Sequence, residues 1–468
     1  MAHSTRRPGR GQVESLARQF AQAPGLPFGD VLTAAHVQAA FDAEGVRAID
    51  CAYTPLTTVR MLLAQALDAD PSLRQAVGRL LAERAVAGQR PISAATGAYS
   101  QARQRLPEGV LARLARRVGA ELLFQAPVPW LWKGRDVKVV DGTTVSMPDT
   151  PANQAAWPQP PNQRPGLGFP LARLVVVFSL AAGTVLDAAL GPYAGKETGE
   201  PALFRSLHGC LGPGDVVLSD RYLCSYFEIA LLQQLGVDVV MRLHQRRPVD
   251  FRRGRRLGKD DHVIAWEKPK RPAWMDEATY QRLPEALVVR QVRLRVPHEG
   301  FRTKAVVVVT TLLQPRQASG RDLTDLYRMR WQAELDLRCL KDTMRMGILR
   351  GKAPAMVRKE IWAHFLAYNL IRTVMAQAAQ EHQVLPRQLS FKGAVQALLA
   401  FAPHLALACR ADLPGLARQV RAAVVQHRVA NRPDRYEPRA RKRRYSNYQQ
   451  LRVPRDEAKA RLRKGVYE

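Results

Sequence analysis

Cysteine is scarce in this 468-residue chain, and the five present, Cys51, Cys210, Cys224, Cys339 and Cys409, lie far apart. No CxxC pair and no nearby histidine stands at ligand spacing, which argues against a zinc site and against a disulfide framework. Long apolar runs are missing as well. No window approaches the roughly 18 uninterrupted apolar residues of a membrane span. The opening MAHSTRRPGRGQ carries positive charge without the apolar stretch of a secretory signal. These absences predict a soluble protein of a reducing compartment, the cytoplasm, with no membrane partner. Acidic residues are also in short supply, 41 against 71 Lys and Arg, for a net charge of +30. A field of that sign favours nucleic acid or an anionic membrane as the partner, and nucleic acid over a merely solubilising surface.

What is present is the composition of a folded protein, 46% hydrophobic and long enough for two to four domains. Residues up to about 130 read as helical: Leu111, Leu114, Val118 and Leu122 recur at helical spacing with arginines between them. Nearby, SAATGAYSQARQRLP gathers Thr96, Tyr99, Ser100, Arg103 and Arg105 into a basic stretch, suited to DNA contact or simply to a solvated helix face. APVPWLWKGRD marks the join to a second region, where the period changes. DVKVVDGTTVSM opens with a β-branched run ending at Asp141, and LARLVVVFSLAAGTVLDAALGPY gives two strands about a turn near Gly183. A helix over about 200–211 follows, then the strand of GDVVLSDRYLC ending at Asp220, a helix in SYFEIALLQQLG and a strand in VDVVMRLH.

Three strands, then helix, strand, helix and strand, is the order of a ribonuclease-H-like mixed α/β sheet. Residues 245–318 interrupt it with a basic, strand-rich insertion, in which Val288, Val292, Leu294 and Val296 alternate with Gln291, Arg293 and Arg295. The expected organisation is a helical N-terminal domain over 1–130 that binds DNA, a catalytic core over 131–244 and 319–402 split by the insertion at 245–318, and a helical, basic C-terminal region over 403–468. Its tail, from Arg432 to Lys464, interleaves Tyr436, Tyr445 and Tyr448 with cations.

The most informative run is LYRMRWQAELDLRCLK. On one continuous α-helix Tyr327, Arg330, Glu334 and Lys341 fall within about 60° of one another. Leu326, Met329, Ala333, Leu337 and Leu340 collect on the opposite side, so the helix has a buried face and a chemical face. Taken singly, Asp141 could be a turn aspartate, Asp220 a helix cap or ion-pair residue, and Glu334 a partner for Arg330 or Arg338 one turn away. Taken together, two strand-end aspartates and a helix glutamate form a three-carboxylate set. Such a set repels itself until hard divalent cations lie between its members, the environment that Mg²⁺ prefers. Two such ions activate an oxygen nucleophile and stabilise the leaving oxygen at a phosphate.

The pattern Tyr327, two residues, Arg330, three residues, Glu334, six residues, Lys341 resembles the YREK signature of DDE transposases of the insertion-sequence-four type. VDGTTVSMPDT and GDVVLSDRYLCSY are similar to that family's two aspartate segments, and the likeness runs from about 90 to 402. The resemblance implies a ribonuclease-H-like core with Asp141, Asp220 and Glu334 as catalytic ligands of two Mg²⁺ or Mn²⁺ ions, and with Tyr327, Arg330 and Lys341 on phosphates beside the scissile bond. It implies cut-and-paste transposition of a bacterial insertion sequence through a DNA hairpin, on double-stranded terminal repeats and target DNA, by a homodimer acting at the nucleoid. It further implies a tryptophan in the insertion that holds a flipped base, with Trp266 and Trp274 as candidates. By the same resemblance the DRYLC segment and the GKETGE run around Lys196 and Glu197 help to shape the site, without a specific role for either. The alternatives are a stand-alone metal-dependent nuclease on the same core and a non-catalytic basic nucleic-acid-binding protein.

Overall fold

A computed structural model describes residues 32–47, 51–68, 70–195, 198–295, 305–409, 411–429 and 453–464. Five helices come first: α1 (Ala34–Ala43), α2 (Pro55–Leu67), α3 (Leu73–Val86), α4 (Gly97–Arg105) and α5 (Glu108–Phe124). Next come β1 (Val137–Ser146), α6 (Pro151–Ala156), β2 (Leu171–Ser179), β3 (Val185–Pro192), α7 (Glu200–Arg205), β4 (Val216–Ser219), α8 (Tyr226–Gln234) and β5 (Asp238–Arg242). Then follow β6 (Arg255–Gly258), β7 (Asp261–Glu267), α9 (Glu277–Arg282), β8 (Ala286–Arg295), β9 (Ala305–Thr310), α10 (Gly320–Met329) and α11 (Trp331–Arg338). The chain closes with α12 (Pro354–Glu381), α13 (Phe391–Leu407), α14 (Leu413–Gln426) and α15 (Arg455–Arg463). No described helix is long and apolar enough to cross a membrane.

The chain divides into two compact units that its sequence interleaves. Of the described residues, one unit comprises those within 1–126, 182–185 and 338–429, the other those within 127–181, 186–337 and 430–468. In the first, α12 is buried on nearly every side, from Val357 to Ala379, as a central helix must be when others surround it. It packs on α2, α5, α13 and α14. Asn369, fully buried on α12, donates to the carbonyls of Ala115 and Val185 at 2.8 Å and accepts from the Val185 amide at 2.8 Å. That fixes residues 182–185, the turn between β2 and β3, to the helices. A smaller core of Tyr53, Met61, Val77, Leu80, Tyr99 and Ala102 joins α2, α3 and α4. Ser, Thr and Asp side chains cap many of the helix starts, Thr54 and Ser72 among them.

The second unit is built on a nine-stranded sheet in the order β3-β2-β1-β4-β5-β9-β8-β7-β6. β1 runs antiparallel to β2 and parallel to β4, and β4 runs parallel to β5. That is the ribonuclease-H-like arrangement expected from the element order. The strand-rich insertion does not stand apart from it: β9 pairs antiparallel with β5, and β8, β7 and β6 continue the sheet as a meander. At its C-terminal end Arg455 ties α15 to this unit, pairing with Asp149, donating to the carbonyls of Gly166 at 2.9 Å and Gly168 at 3.0 Å, and covering Phe169.

Several local expectations change. The helix expected over 200–211 stops at Arg205, and a single 3₁₀ turn at His208–Cys210 follows. β1 does not end at Asp141, because Thr143, Thr144 and Val145 are β-branched and pair onward with Leu174, Arg173 and Ala172. Tyr99 is not a surface group: its ring is fully buried and its hydroxyl donates to Gln65 at 2.6 Å. Val296, Lys196, Glu197, Tyr436, Tyr445 and Tyr448 lie outside the described residues.

Candidate active site

The two aspartates are placed by the parallel pairing of β1 with β4. Its last paired residues are Val139 and Leu218. Asp141 and Asp220 each lie two residues beyond that pair, so both follow the C-terminal end of the β1–β4 pairing on neighbouring chain segments, about 5 Å apart by strand spacing. Asp220 leaves β4 into a turn, where its Oδ1 accepts from the Tyr222 amide at 2.8 Å. Asp141 stays in β1, and its Oδ1 accepts from the Gly142 amide at 2.9 Å.

The Asp141 carboxyl is pushed up from 3.8 to about 6. Burial is the chief cause, the Gly142 amide and Arg330 oppose it, and the negative fields of Glu334 and Asp220 add to it. Asp141 therefore senses the charges of Asp220 and Glu334, two acids far from it in sequence.

The helix that carries the third acid is not continuous. α10 opens on a capping box between Ser319 and Asp322 and ends at Met329. Arg330 sits at the junction, where the amides of Arg330 and Ala333 take carbonyls three residues back at 3.1 Å. α11 then carries Glu334 and passes into a π turn over Cys339–Thr343, where Met344 bonds the Cys339 carbonyl at 3.0 Å. The expectation of a single α-helical face through Lys341 is corrected accordingly. Tyr327, Arg330 and Glu334 lie in the sheet unit, while Lys341 sits in the π turn, which belongs to the helical unit.

Arg330 and Glu334 form an ion pair at 2.7 Å. Burial works to weaken the guanidinium's hold on its proton, but the Glu334 bond, with Tyr327, Glu334 and Asp141, outweighs it and raises the pKa. Tyr327 is raised too, by burial first, against the lowering effect of Arg330 and Arg242. Its phenol therefore keeps its proton at neutral pH.

Among the described residues no three His, Cys, Asp or Glu side chains stand together as a ready metal cluster. Glu334 is engaged by Arg330 instead. The donor set nevertheless suits a hard divalent ion. It is all carboxylate, with no thiolate or imidazole, and burial together with the charges of Glu334 and Asp220 disfavours a bare charge on Asp141.

Two further groups border the site that the sequence did not single out. Glu200, the last residue of GKETGE, feels the Asp220 charge and pairs with Arg173 of β2 at 3.2 Å. Arg242 at the end of β5 faces Tyr327 electrostatically. The sequence points to the GKETGE run but not to Glu200 as the residue of it that meets the aspartate segments. The two tryptophans are covered as they stand. Trp266 is 5% exposed on β7 under the Arg247 guanidinium, 3.9 Å from the ring centre, and half-buried Trp274 lies under Arg205 at 3.7 Å.

The Transposase DDE domain family model matches residues 132–370. The transposase InsG of insertion sequence element IS4 from Escherichia coli K12 is 28% identical over 398 residues, covering 83% of this chain and 85% of the relative. The transposase for insertion sequence element IS421 from Escherichia coli is 30% identical over 101 residues, covering 20% and 27%. Among solved structures, the piggyBac transposase synaptic complex with hairpin DNA aligns over 89% of this chain and 88% of that one. Its TM-score is 0.43 at 11% identity, a likeness too slight to carry weight.

Proposed function

The chain belongs to the DDE transposases of the insertion-sequence-four type, enzymes that cut and join DNA, and on that premise we propose that Asp141, Asp220 and Glu334 form its catalytic centre. The observation that carries this reading is the register of β1 and β4, which sets both aspartates two residues past one strand pair. The mutual influence of Asp141 with Asp220, Glu334 and Arg330 supports it.

Bound among these carboxylates, Mg²⁺ or Mn²⁺, two ions by family resemblance, supplies the Lewis acidity that makes water or a 3′-hydroxyl nucleophilic and stabilises the leaving oxygen. The chain's own groups do the rest. Arg330 offers a fork of donors to a phosphate beside the scissile bond, and Tyr327 offers a protonated hydroxyl. Glu334 competes with that phosphate for Arg330. An arriving phosphate that draws the guanidinium away frees the glutamate to act as a ligand. Lys341, in the π turn, adds a point charge for the same strand.

The same reading gives the substrates as terminal inverted repeats and then target DNA, processed through a hairpin by a homodimer at the bacterial nucleoid. The α2–α4 cluster serves DNA binding through exposed Arg105 and half-buried Ser100, Arg103 and Thr96. Of the two tryptophans Trp274 keeps the greater exposure, and a base stacked on either ring would have to replace its guanidinium.

The test is a labelled duplex carrying the element's terminal repeat, incubated with the protein and Mg²⁺ beside a target plasmid. Joined product is expected from the native chain and none from Glu334→Gln. Cleavage without joining would indicate a nuclease, binding without either would indicate a scaffold, and joining by Glu334→Gln would remove the assigned centre.

A further inference from the structure

Gly142, beside Asp141, has no side chain, and another residue fills that space. A Cβ built at position 142 would lie 2.6 Å from the Glu200 carboxyl carbon and 2.7 Å from its Oε1. Side chains alternate along an unbroken strand, so this contact falls on the face of β1 opposite the Asp141 carboxyl. Glu200 is itself held. Arg173 donates to its Oε1 at 3.2 Å and to the Tyr193 carbonyl at 3.1 Å, with its guanidinium 5.2 Å from the centre of the Tyr193 ring. Arg173 stands opposite Thr144 in the β1–β2 ladder, two residues from Gly142 on the same face. The Nε of Arg173 is buried without a partner.

We propose that Glu200, steadied by Arg173, is a positioning residue for Asp141: its carboxylate braces Gly142 from behind, and the Gly142 amide in turn holds Oδ1 of Asp141. The inference rests on the assignment of Asp141 as a ligand. Glu200 touches no reacting atom and acts through the strand. Residues that orient a metal's ligands typically change its affinity by about 10- to 100-fold when removed. A larger residue at 142 would displace the Glu200 side chain from this place.

The experiment measures Mn²⁺ affinity from the electron paramagnetic resonance of free ion, together with the Mg²⁺ concentration that half-saturates cleavage of a terminal-repeat duplex. It uses the full chain and the variants Glu200→Ala, Glu200→Gln, Gly142→Ala, the double Gly142→Ala/Glu200→Ala, and Asp141→Asn as control. Glu200→Ala and Gly142→Ala should each weaken Mn²⁺ about 10-fold and raise the Mg²⁺ requirement in step. Glu200→Gln, which keeps shape and hydrogen bond, should restore most of the affinity. The double variant should be no worse than the worse single one, since both act through one contact.

Glu200→Ala with native Mn²⁺ affinity and native Mg²⁺ half-saturation overturns the proposal, as does equal damage from Glu200→Gln. If Gly142→Ala fails to fold, the two Glu200 variants decide the matter alone. A native chain whose Mn²⁺ binding is indifferent to Asp141→Asn overturns the underlying assignment instead, so the two failures are distinguishable.

Discussion

At the scale of single residues, Asp141 carries the site's cost. Its carboxyl is pushed up to about 6 in the fold from the usual 3.8 of an aspartate. Between those values the native state holds a proton that the unfolded chain has released. Stability therefore falls as pH rises from about 4 to 6, and the full penalty, on the order of 2–3 kcal/mol, persists at neutral pH. Asp141→Asn removes the charge and keeps the acceptor for the Gly142 amide. It should melt higher than the native chain in EDTA at pH 7.5, with the gap closing below about pH 4. Equal melting temperatures at both pH values would contradict the burial of a charged Asp141. The bland sequence reading of Glu334, an ion pair with Arg330 one turn away, turns out to coexist with the chemical one, since the pair borders the aspartates. Glu334→Gln weakens that hold on Arg330, so the variant should bind terminal-repeat DNA at least as tightly as the native chain in a filter-binding titration without metal. A tenfold loss would show that Glu334 supports binding rather than restraining it.

At the scale of elements, hydrophobic period and β-branching made the five core strands and the helix before Glu334 legible, and their order gave the sheet. Spacing alone could not show where the helix breaks. Tyr327 to Lys341 satisfies an ideal 3.6-residue turn, and the interruptions at Arg330 and over Cys339–Thr343 come from main-chain bonding. Nor could alternation in β8 show that one of its arginines points inward. Arg290 is fully buried, holds both oxygens of Asp261 on β7 at 2.8 and 2.6 Å, and donates to the Ala318 carbonyl at 2.6 Å. Ala318 directly precedes Ser319, the cap of α10, so this side chain links the insertion strands to the start of the segment bearing Tyr327, Arg330 and Glu334. Arg290→Met leaves Asp261 and that carbonyl without their partner, and should cost about 3 kcal/mol in urea unfolding. Arg290→Lys should recover little, because one ammonium cannot serve a bidentate carboxylate and a carbonyl together. An unchanged urea midpoint in Arg290→Met would mean that the anchor contributes nothing.

At the scale of the whole molecule, composition announced the partner's charge but not the architecture. The excess of 30 positive charges is a property of the sum. The two units are each assembled from separate stretches of sequence, and the helical one takes in residues 182–185 from the turn between two core strands. No composition shift marks such a boundary, because what draws the turn in is a buried asparagine on α12, more than 180 residues away. The charge does make a quantitative demand. Each phosphate neutralised by the chain releases a counterion, so the logarithm of DNA affinity should fall linearly with the logarithm of salt, by about 0.9 per contact. Arg330→Ala and Lys341→Ala each delete one such contact and should each flatten the slope by about one for terminal-repeat DNA, while Glu334→Gln should leave it unchanged. The comparison separates contact from field: a cation that acts only through the net charge shifts affinity slightly at every salt concentration without altering the contact count. Titrations from 50 to 300 mM KCl that give the native slope for both alanine variants would remove Arg330 and Lys341 from the phosphate-binding set, and leave the assignment of the three carboxylates standing.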